Sequence, residues 1–250
     1  MNQEELTEIF NNHGAWAQTI TSGRDPAVKV PESFRADFTN KDLRGLPDGF
    51  MKAADGHACD LYGAIFKGAD LRGVDLSYTY LDDADLQGAN LKDAYLAGAK
   101  LYRAKLTDAN LYGANLKNAN LKNANLAGAN LERADLTGVD LTDANLQNTS
   151  LQNANLYRVY FHNADLTEAD LTEADLTGAS LQGANLKGAN LQGANLAGAD
   201  LTVANLTGVK FDLNFRDVAW FTSATVSKDQ LCWLVLHPRY AEWADSLKIV

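Results

Sequence analysis

The chain has 250 residues and a formal net charge of −10, with 32 acidic against 22 basic side chains. This acidity argues against direct binding to nucleic acid, which requires a basic surface. Two cysteines, Cys59 and Cys232, are too few for a disulfide framework, and no apolar stretch approaches the length of a bilayer span.

The first predicted element is a helix over residues 3–21, interrupted at Gly14. Its loose apolar face consists of Leu6, Ile9, Phe10 and Trp16. A polar connector containing Pro26 and Pro31 follows, so we assign residues 1–33 to an N-terminal helix and connector. The acidic start of the chain lacks the basic and apolar segments of an export signal, and we therefore expect a cytoplasmic protein.

A five-residue spacing begins with Ala36-Asp37-Phe38 and Lys41-Asp42-Leu43. Leu43 and Leu61 are 18 residues apart, which is not a multiple of five. The register therefore breaks, and we predict a loop or distorted coil near residues 46–58. The repeat domain as a whole is predicted to span residues 34–226.

From Leu61 to Phe211 every fifth residue is Leu or Phe, through 31 consecutive units. A small residue, usually Ala, stands two positions earlier. In extended backbone this separation places both side chains on one face, whereas a uniform period of five makes no stripe on a helix. Gly, Asn or Asp often ends the unit, and these residues tolerate tight turns. The pattern predicts an all-β solenoid with Leu and small residues inside.

The unit Ala-(Asp/Asn)-Leu-x-x, as in residues 129–133, resembles that of the pentapeptide-repeat family. The resemblance implies a right-handed, quadrilateral β-helix with four units in each coil. Residues 61–211 would then form just under eight coils, a rod about 37 Å long at the usual strand spacing. A helix before the first coil also resembles some bacterial members of that family.

The repeat ends less regularly. Arg216 stands where Leu is expected, but the spacing resumes at Phe221, Val226 and Leu231. Ser227-Lys228-Asp229-Gln230 is typical of a helical capping box, so we assign residues 227–250 to a C-terminal helical cap. The candidate contacts of this cap are Trp233, Leu234, Leu236 and Trp243. The segment either caps the Leu stack alone or also mediates a homodimer, as in relatives within the family.

No motif for catalysis, metal binding or cofactor binding occurs in the sequence. His13, His57, His162 and His237 do not form metal-ligand pairs, and His57 with Cys59 is only half of a zinc site. We therefore expect a protein that is not an enzyme and that needs no cofactor.

At twenty residues per coil, the side centred on Leu61, Leu81 and their successors departs most from the consensus. Its candidate interaction residues are Tyr62, Tyr80, Lys100, Tyr102, Arg103, Lys122, Tyr160 and His162. Aromatic residues and arginine are common in protein interfaces, although tolerated outward positions would look the same. Asp83 and Arg103 are 20 residues apart, so they should form an ion pair between adjacent coils.

Three function classes fit the sequence. The first is a non-catalytic scaffold that acts through protein–protein interaction with a partner of unknown identity. The second, raised by the family resemblance, is a nucleic-acid mimic that binds a DNA topoisomerase such as gyrase. The third is a purely structural repeat protein.

Overall fold

A computed structural model describes residues 36–44, 60–210, 223–228 and 246–250 of the chain. Between 60 and 210 each unit consists of one extended residue that bridges to a neighbouring coil, followed by a tight turn. The bridges are parallel and join residues 20 apart, from Asp60 with Tyr80 to Asn190 with Lys210. Twenty residues at five per unit confirm four units in each coil.

Four sides follow from this register, and we number them by the buried residues at their centres. Side 1 is centred on Leu61 and every twentieth residue after it, and side 2 on the corresponding series from Phe66. Side 3 is centred on the series that begins at Leu71, and side 4 on the series that begins at Leu76. The sides form successive faces of one continuous stack.

The interior is a stack of the predicted Leu, Phe and small side chains. Leu121 is fully buried, and Ala124 is only 1% exposed. Phe38 and Phe66 stack with ring centroids 4.8 Å apart at the amino-terminal end of the core. Where Thr149 replaces alanine, its hydroxyl donates a hydrogen bond to the Leu126 carbonyl at 2.9 Å. A buried hydroxyl is tolerated there because it is paired.

Each corner is a β-turn closed by a backbone hydrogen bond from the small residue to the preceding central Leu, as from Ala64 N to Leu61 O at 3.0 Å. The third residue of the turn has positive φ, 64° at Gly63 and 56° at Asp83. This conformation explains the preference for Gly, Asn and Asp at the end of the unit.

Asn or Asp before the central Leu also has a local role. Its side-chain oxygen accepts a hydrogen bond from the backbone two residues later, for example from Glu132 N to Asn130 Oδ1 at 2.9 Å. Such an Asx interaction stabilises the start of the turn. Two positions of the unit therefore favour the turn: the Asn or Asp before the Leu, and the Gly, Asn or Asp two residues after it.

The predicted register break is present. Asp37 bridges to Ile65 and Asp42 to Asp70, and both separations are 28 residues instead of 20. The first coil consequently contains eight additional residues between 44 and 60. The predicted loop near 46–58 lies outside the described residues, as does the predicted helix over 3–21.

The last coil is closed by strands. Strand β1 (Thr225–Val226) continues the stack, since Asn205 bridges to Thr225, and Val226 is fully buried. Strand β2 (Lys248–Ile249) pairs in parallel with β1. The predicted helical cap over 227–250 is therefore extended at residues 248–249, because the chain end adds a strand to the open edge. Trp233, Leu234, Leu236 and Trp243 lie outside the described residues.

Glycine at a corner is required most strongly where a side chain from the preceding coil occupies the adjacent space. Gly138 has φ +67°, and an added Cβ would lie 2.6 Å from Asn118 Oδ1. Gly138→Ala should therefore lose the about 1–2 kcal/mol expected for left-handed alanine, with a small additional loss because the exposed Asn118 side chain has to turn away. The measurement is the free energy of unfolding by denaturant.

Gly88→Ala is the matched control, because Gly88 has φ +62° and an added Cβ would meet no atom within 4 Å. It should show the conformational cost alone. Equal losses in the two variants would contradict the proposed contact between stacked corners.

Candidate interaction surface

The candidate residues lie together on side 1, in three outward columns. Tyr80, Lys100 and Tyr160 belong to the column before the central Leu, which runs through successive bridges from Asp60 to Asp200. Tyr62, Tyr102, Lys122 and His162 belong to the column after it, and Arg103 lies at the corner. At about 4.8 Å per coil, Tyr80 and Tyr160 are about 19 Å apart along the solenoid.

The predicted ion pair between Asp83 and Arg103 is present, with Arg103 Nε 3.2 Å from Asp83 Oδ1. Both side chains are partly exposed, so the pair contributes no more than about 1 kcal/mol. The other carboxylate oxygen, Asp83 Oδ2, accepts a hydrogen bond from the Tyr62 hydroxyl at 2.9 Å. Three coils are thereby joined through one carboxylate.

Burial and the hydrogen bond to the Asp83 carboxylate raise the pKa of Tyr62 to about 12. The neutral phenol is favoured in the folded state, so its stabilising effect is present below about pH 10 and is lost as pH rises through 12. In an ultraviolet titration, one tyrosine should ionise later than an ordinary phenol. Tyr62→Phe should remove this late phase, and Asp83→Asn should lower its pKa. If Tyr62→Phe removed a tyrosine that ionises near about pH 10 and left the late phase in place, the late phase would not belong to Tyr62.

A second group lies farther along side 1. The rings of Tyr160 and His162 are stacked at 6.1 Å, and His162 Nε2 lies 2.9 Å from Ser180 Oγ. Tyr160 is 49% exposed. Side 1 therefore carries aromatic groups at two levels of the solenoid, separated by coils with charged and amide side chains.

The structure adds an aromatic contribution from side 4 that sequence reasoning missed. Tyr78, Tyr95 and Tyr157 lie on this side or at its corner with side 1, and Tyr78 is 66% exposed. Of the eight described tyrosines, four lie on side 1, three on side 4 and one, Tyr112, on side 3. Arranging the sequence in rows of twenty would have shown this clustering across a corner.

The charged residues are spread more evenly over the four sides than the tyrosines are. Within residues 60–210, side 1 carries six acidic and three basic side chains, side 2 four and three, side 3 five and four, and side 4 three and two. Every side is therefore weakly negative. Within residues 60–210 the acidic residues form no continuous stripe, because neutral residues, together with Lys and Arg on some sides, interrupt their columns.

No cluster of three or more His, Cys, Asp or Glu side chains in the described ranges could hold a metal ion. No helix there is both long enough and apolar enough to span a bilayer.

Comparison with known families identifies the repeat. The model of pentapeptide repeats matches the chain in eight copies between residues 51 and 212, which is well over half of its length. This chain belongs to the pentapeptide-repeat family. Its solenoid is accordingly the pentapeptide-repeat fold, a right-handed quadrilateral β-helix, and the resemblance seen in the sequence is confirmed.

Solved structures similar to this pentapeptide-repeat protein include HetL, described as involved in heterocyst differentiation regulation in the cyanobacterium Nostoc sp. strain PCC 7120. It is 28% identical over 86% of this chain and 81% of that chain, with a TM-score of 0.42. QnrB1, described as a plasmid-mediated fluoroquinolone resistance protein, is 21% identical over 80% of this chain and 89% of that chain, with a TM-score of 0.45.

A pentapeptide-repeat protein from the Arabidopsis thaliana thylakoid lumen is 31% identical over 44% of this chain and 69% of that chain, with a TM-score of 0.20. No curated protein sequence matches the chain. Family membership thus determines the repeat fold, while any function has to be argued from the surface of this chain.

Proposed function

We propose that this pentapeptide-repeat protein is a non-catalytic, cytoplasmic scaffold that binds a protein partner through the tyrosine-rich surface formed by sides 1 and 4. The observation that supports it most is the placement of seven of the eight described tyrosines on two adjacent sides. Tolerated substitutions would be expected on all four sides equally.

The scaffold suits such a role physically. Tyrosine offers a large contact area with only two side-chain torsions to restrict on binding, and it is enriched at interface hot spots. The backbone at Tyr80 is held to both neighbouring coils, because Tyr80 O accepts a hydrogen bond from Leu61 N of the preceding coil and the adjacent Leu81 N donates to Lys100 O of the next coil. A partner would meet a surface that is already ordered.

Nucleic-acid mimicry toward a DNA topoisomerase is the rival proposal. It would require closely spaced negative charges along one side, and the distribution of acidic residues over all four sides argues against it. A gyrase supercoiling assay tests it directly. If micromolar protein neither inhibits gyrase nor protects it, this alternative is excluded.

The test of the scaffold proposal replaces three exposed tyrosines with residues typical of their positions: Tyr80→Asn, Tyr102→Thr and Tyr160→Asn. Proteins captured from lysate of the native host by this variant and by the parent are compared by quantitative mass spectrometry. We expect specific proteins to be lost from the variant.

The matched control changes three outward residues of side 3, Lys92→Thr, Tyr112→Thr and Glu132→Thr. This control should retain the captured proteins. Identical capture by parent, variant and control would show that the tyrosine-rich surface is not the binding surface, and no specific capture by the parent would favour a purely structural protein.

A further inference from the structure

On side 1, several residues at equal distances before and after the coil of Leu121 form matching pairs, which are either both tyrosine or of opposite charge. In the column before the central Leu, bridges join Tyr80, Lys100, Asn120, Asp140 and Tyr160 in that order. Tyr80 and Tyr160 lie two coils from Asn120 in opposite directions, and Lys100 and Asp140 lie one coil from it. Corner residues follow the same order, with Arg103 one coil before Asn123 and Asp143 one coil after it.

The charged members of this pattern retain capacity for an external partner. Among the ion pairs within the described residues, none involves Lys100, Asp140 or Asp143. Lys100 and Asp143 are exposed, and Asp140 is partly exposed. Arg103 contacts Asp83 through Nε, which leaves the terminal nitrogens of its guanidinium group able to bind a second carboxylate.

We propose that side 1 binds a second copy of this chain, face to face, with the two solenoid axes antiparallel. The two-fold axis would cross side 1 at Asn120 and run parallel to its extended segments. It would place Lys100 opposite Asp140 of the second copy, Arg103 opposite Asp143, and Tyr80 opposite Tyr160. Since the interface is isologous, each pair occurs twice.

The antiparallel arrangement is the one that the charges favour. A two-fold axis along the solenoid would instead place each coil against the same coil of the other copy, with Lys100 opposite Tyr102 and Asp140 opposite Thr142. That parallel arrangement brings no cation to a carboxylate. Charge complementarity therefore selects the antiparallel dimer, because opposed charges set the register of an interface.

The size of the face limits the strength of the dimer. Seven coils at about 4.8 Å, by about 10 Å of extended backbone, present about 340 Å² of projected area on each copy. The two copies together contribute about 680 Å², which is below the about 1,200–2,000 Å² of stable complexes, so the dimer should be weak, form only at high protein concentration and exchange with monomer. Lys122 would also face Lys122 of the second copy, and this like-charge contact should weaken the dimer.

The proposal rests on the proposed function in one respect, namely that side 1 is a protein-binding surface. Its test is a reciprocal charge reversal measured by sedimentation over a concentration series. One variant carries Lys100→Asp and Arg103→Asp, and the other carries Asp140→Lys and Asp143→Lys. Every new charge has a precedent at the same unit position of side 1, such as Asp60, Asp83, Lys100 and Arg103, so both variants should fold.

The parent should dimerise, and each variant alone should dimerise at least about 100-fold more weakly, because opposed charges become alike. An equimolar mixture should dimerise again, since each of the four reversed pairs is then of opposite sign. Lys122→Thr should strengthen the dimer of the parent. A control variant with Lys92→Asp and Arg133→Asp on side 3 should behave as the parent.

A mixture that stays monomeric, or variants that associate as the parent does, would overturn the antiparallel dimer. The second result would place self-association elsewhere on the chain. If the reversed-charge variants and the parent are all monomeric while the tyrosine variant loses a captured protein, this inference fails and the proposed function stands.

Discussion

Leu131→Ala should destabilise the protein by about 3–5 kcal/mol, toward the upper part of the range for buried leucine. Leu131 is fully buried on side 3. The cavity cannot readily collapse, because the backbone beside it is hydrogen-bonded to the neighbouring coils: Leu131 N donates to Ser150 O at 2.7 Å, and Asn130 O accepts from Leu111 N at 2.7 Å. The free energy of unfolding by denaturant measures the effect.

Leu131→Met is the control, since it conserves volume and should cost less than about 1.5 kcal/mol. Equal stability of the alanine variant and the parent would contradict a closely packed Leu stack. Because each coil is stabilised by its neighbours, the loss should also appear as faster hydrogen exchange in the coils on either side of Leu131.

Ala124→Leu should destabilise the protein by more than the about 1–3 kcal/mol that is usual for overpacking. Ala124 is 1% exposed and lies two residues before Leu126 in the same unit. A helix in a bundle can shift away from an enlarged side chain. This extended segment cannot, because Asn125 N donates to Ala104 O and Ala124 O accepts from Asn145 N. A thermal melt and a denaturant titration measure the loss.

Ala127→Leu makes the same change at a partly exposed outward position three residues later. It should alter stability by no more than about 0.5 kcal/mol. If the two leucine variants proved equally stable, the assignment of inward and outward positions in the unit would be wrong.

The candidate site was only partly visible in the sequence. Folding the chain in rows of twenty brought Tyr80 and Tyr160 onto one side, and it placed Arg103 beside Asp83, as the structure confirms. The candidate interaction residues predicted in this way all belong to side 1, however. Tyr78 occupies a corner in a left-handed conformation, with φ 61°, and connects sides 4 and 1. Rows of twenty already place Tyr78 beside the side 1 columns, but the exposure of its ring depends on the geometry of the turn, which the sequence pattern does not record.

At the C-terminal end, too, the structure differs from what the sequence predicts. Ser227 and Gln230 are typical of a helix start, and Lys228 has helical backbone in the structure. The predicted helical cap over residues 227–250 includes this last segment. The chain instead ends in β2, with Lys248 N donating to Ala224 O at 2.9 Å. An open coil edge exposes unpaired backbone groups, and pairing with them outweighs local helix preference.

For this protein, the repeat itself determined the inward and outward faces, the corners and the register break before Leu61, and the four-unit coil followed from its resemblance to the pentapeptide-repeat family. Each of these depends on contacts that recur at one short interval, so local pattern carries them. Only the tertiary structure decided how far the tyrosines of sides 1 and 4 are exposed and how the last coil is closed. Those features depend on residues brought together by stacking, and no periodicity in the chain records them.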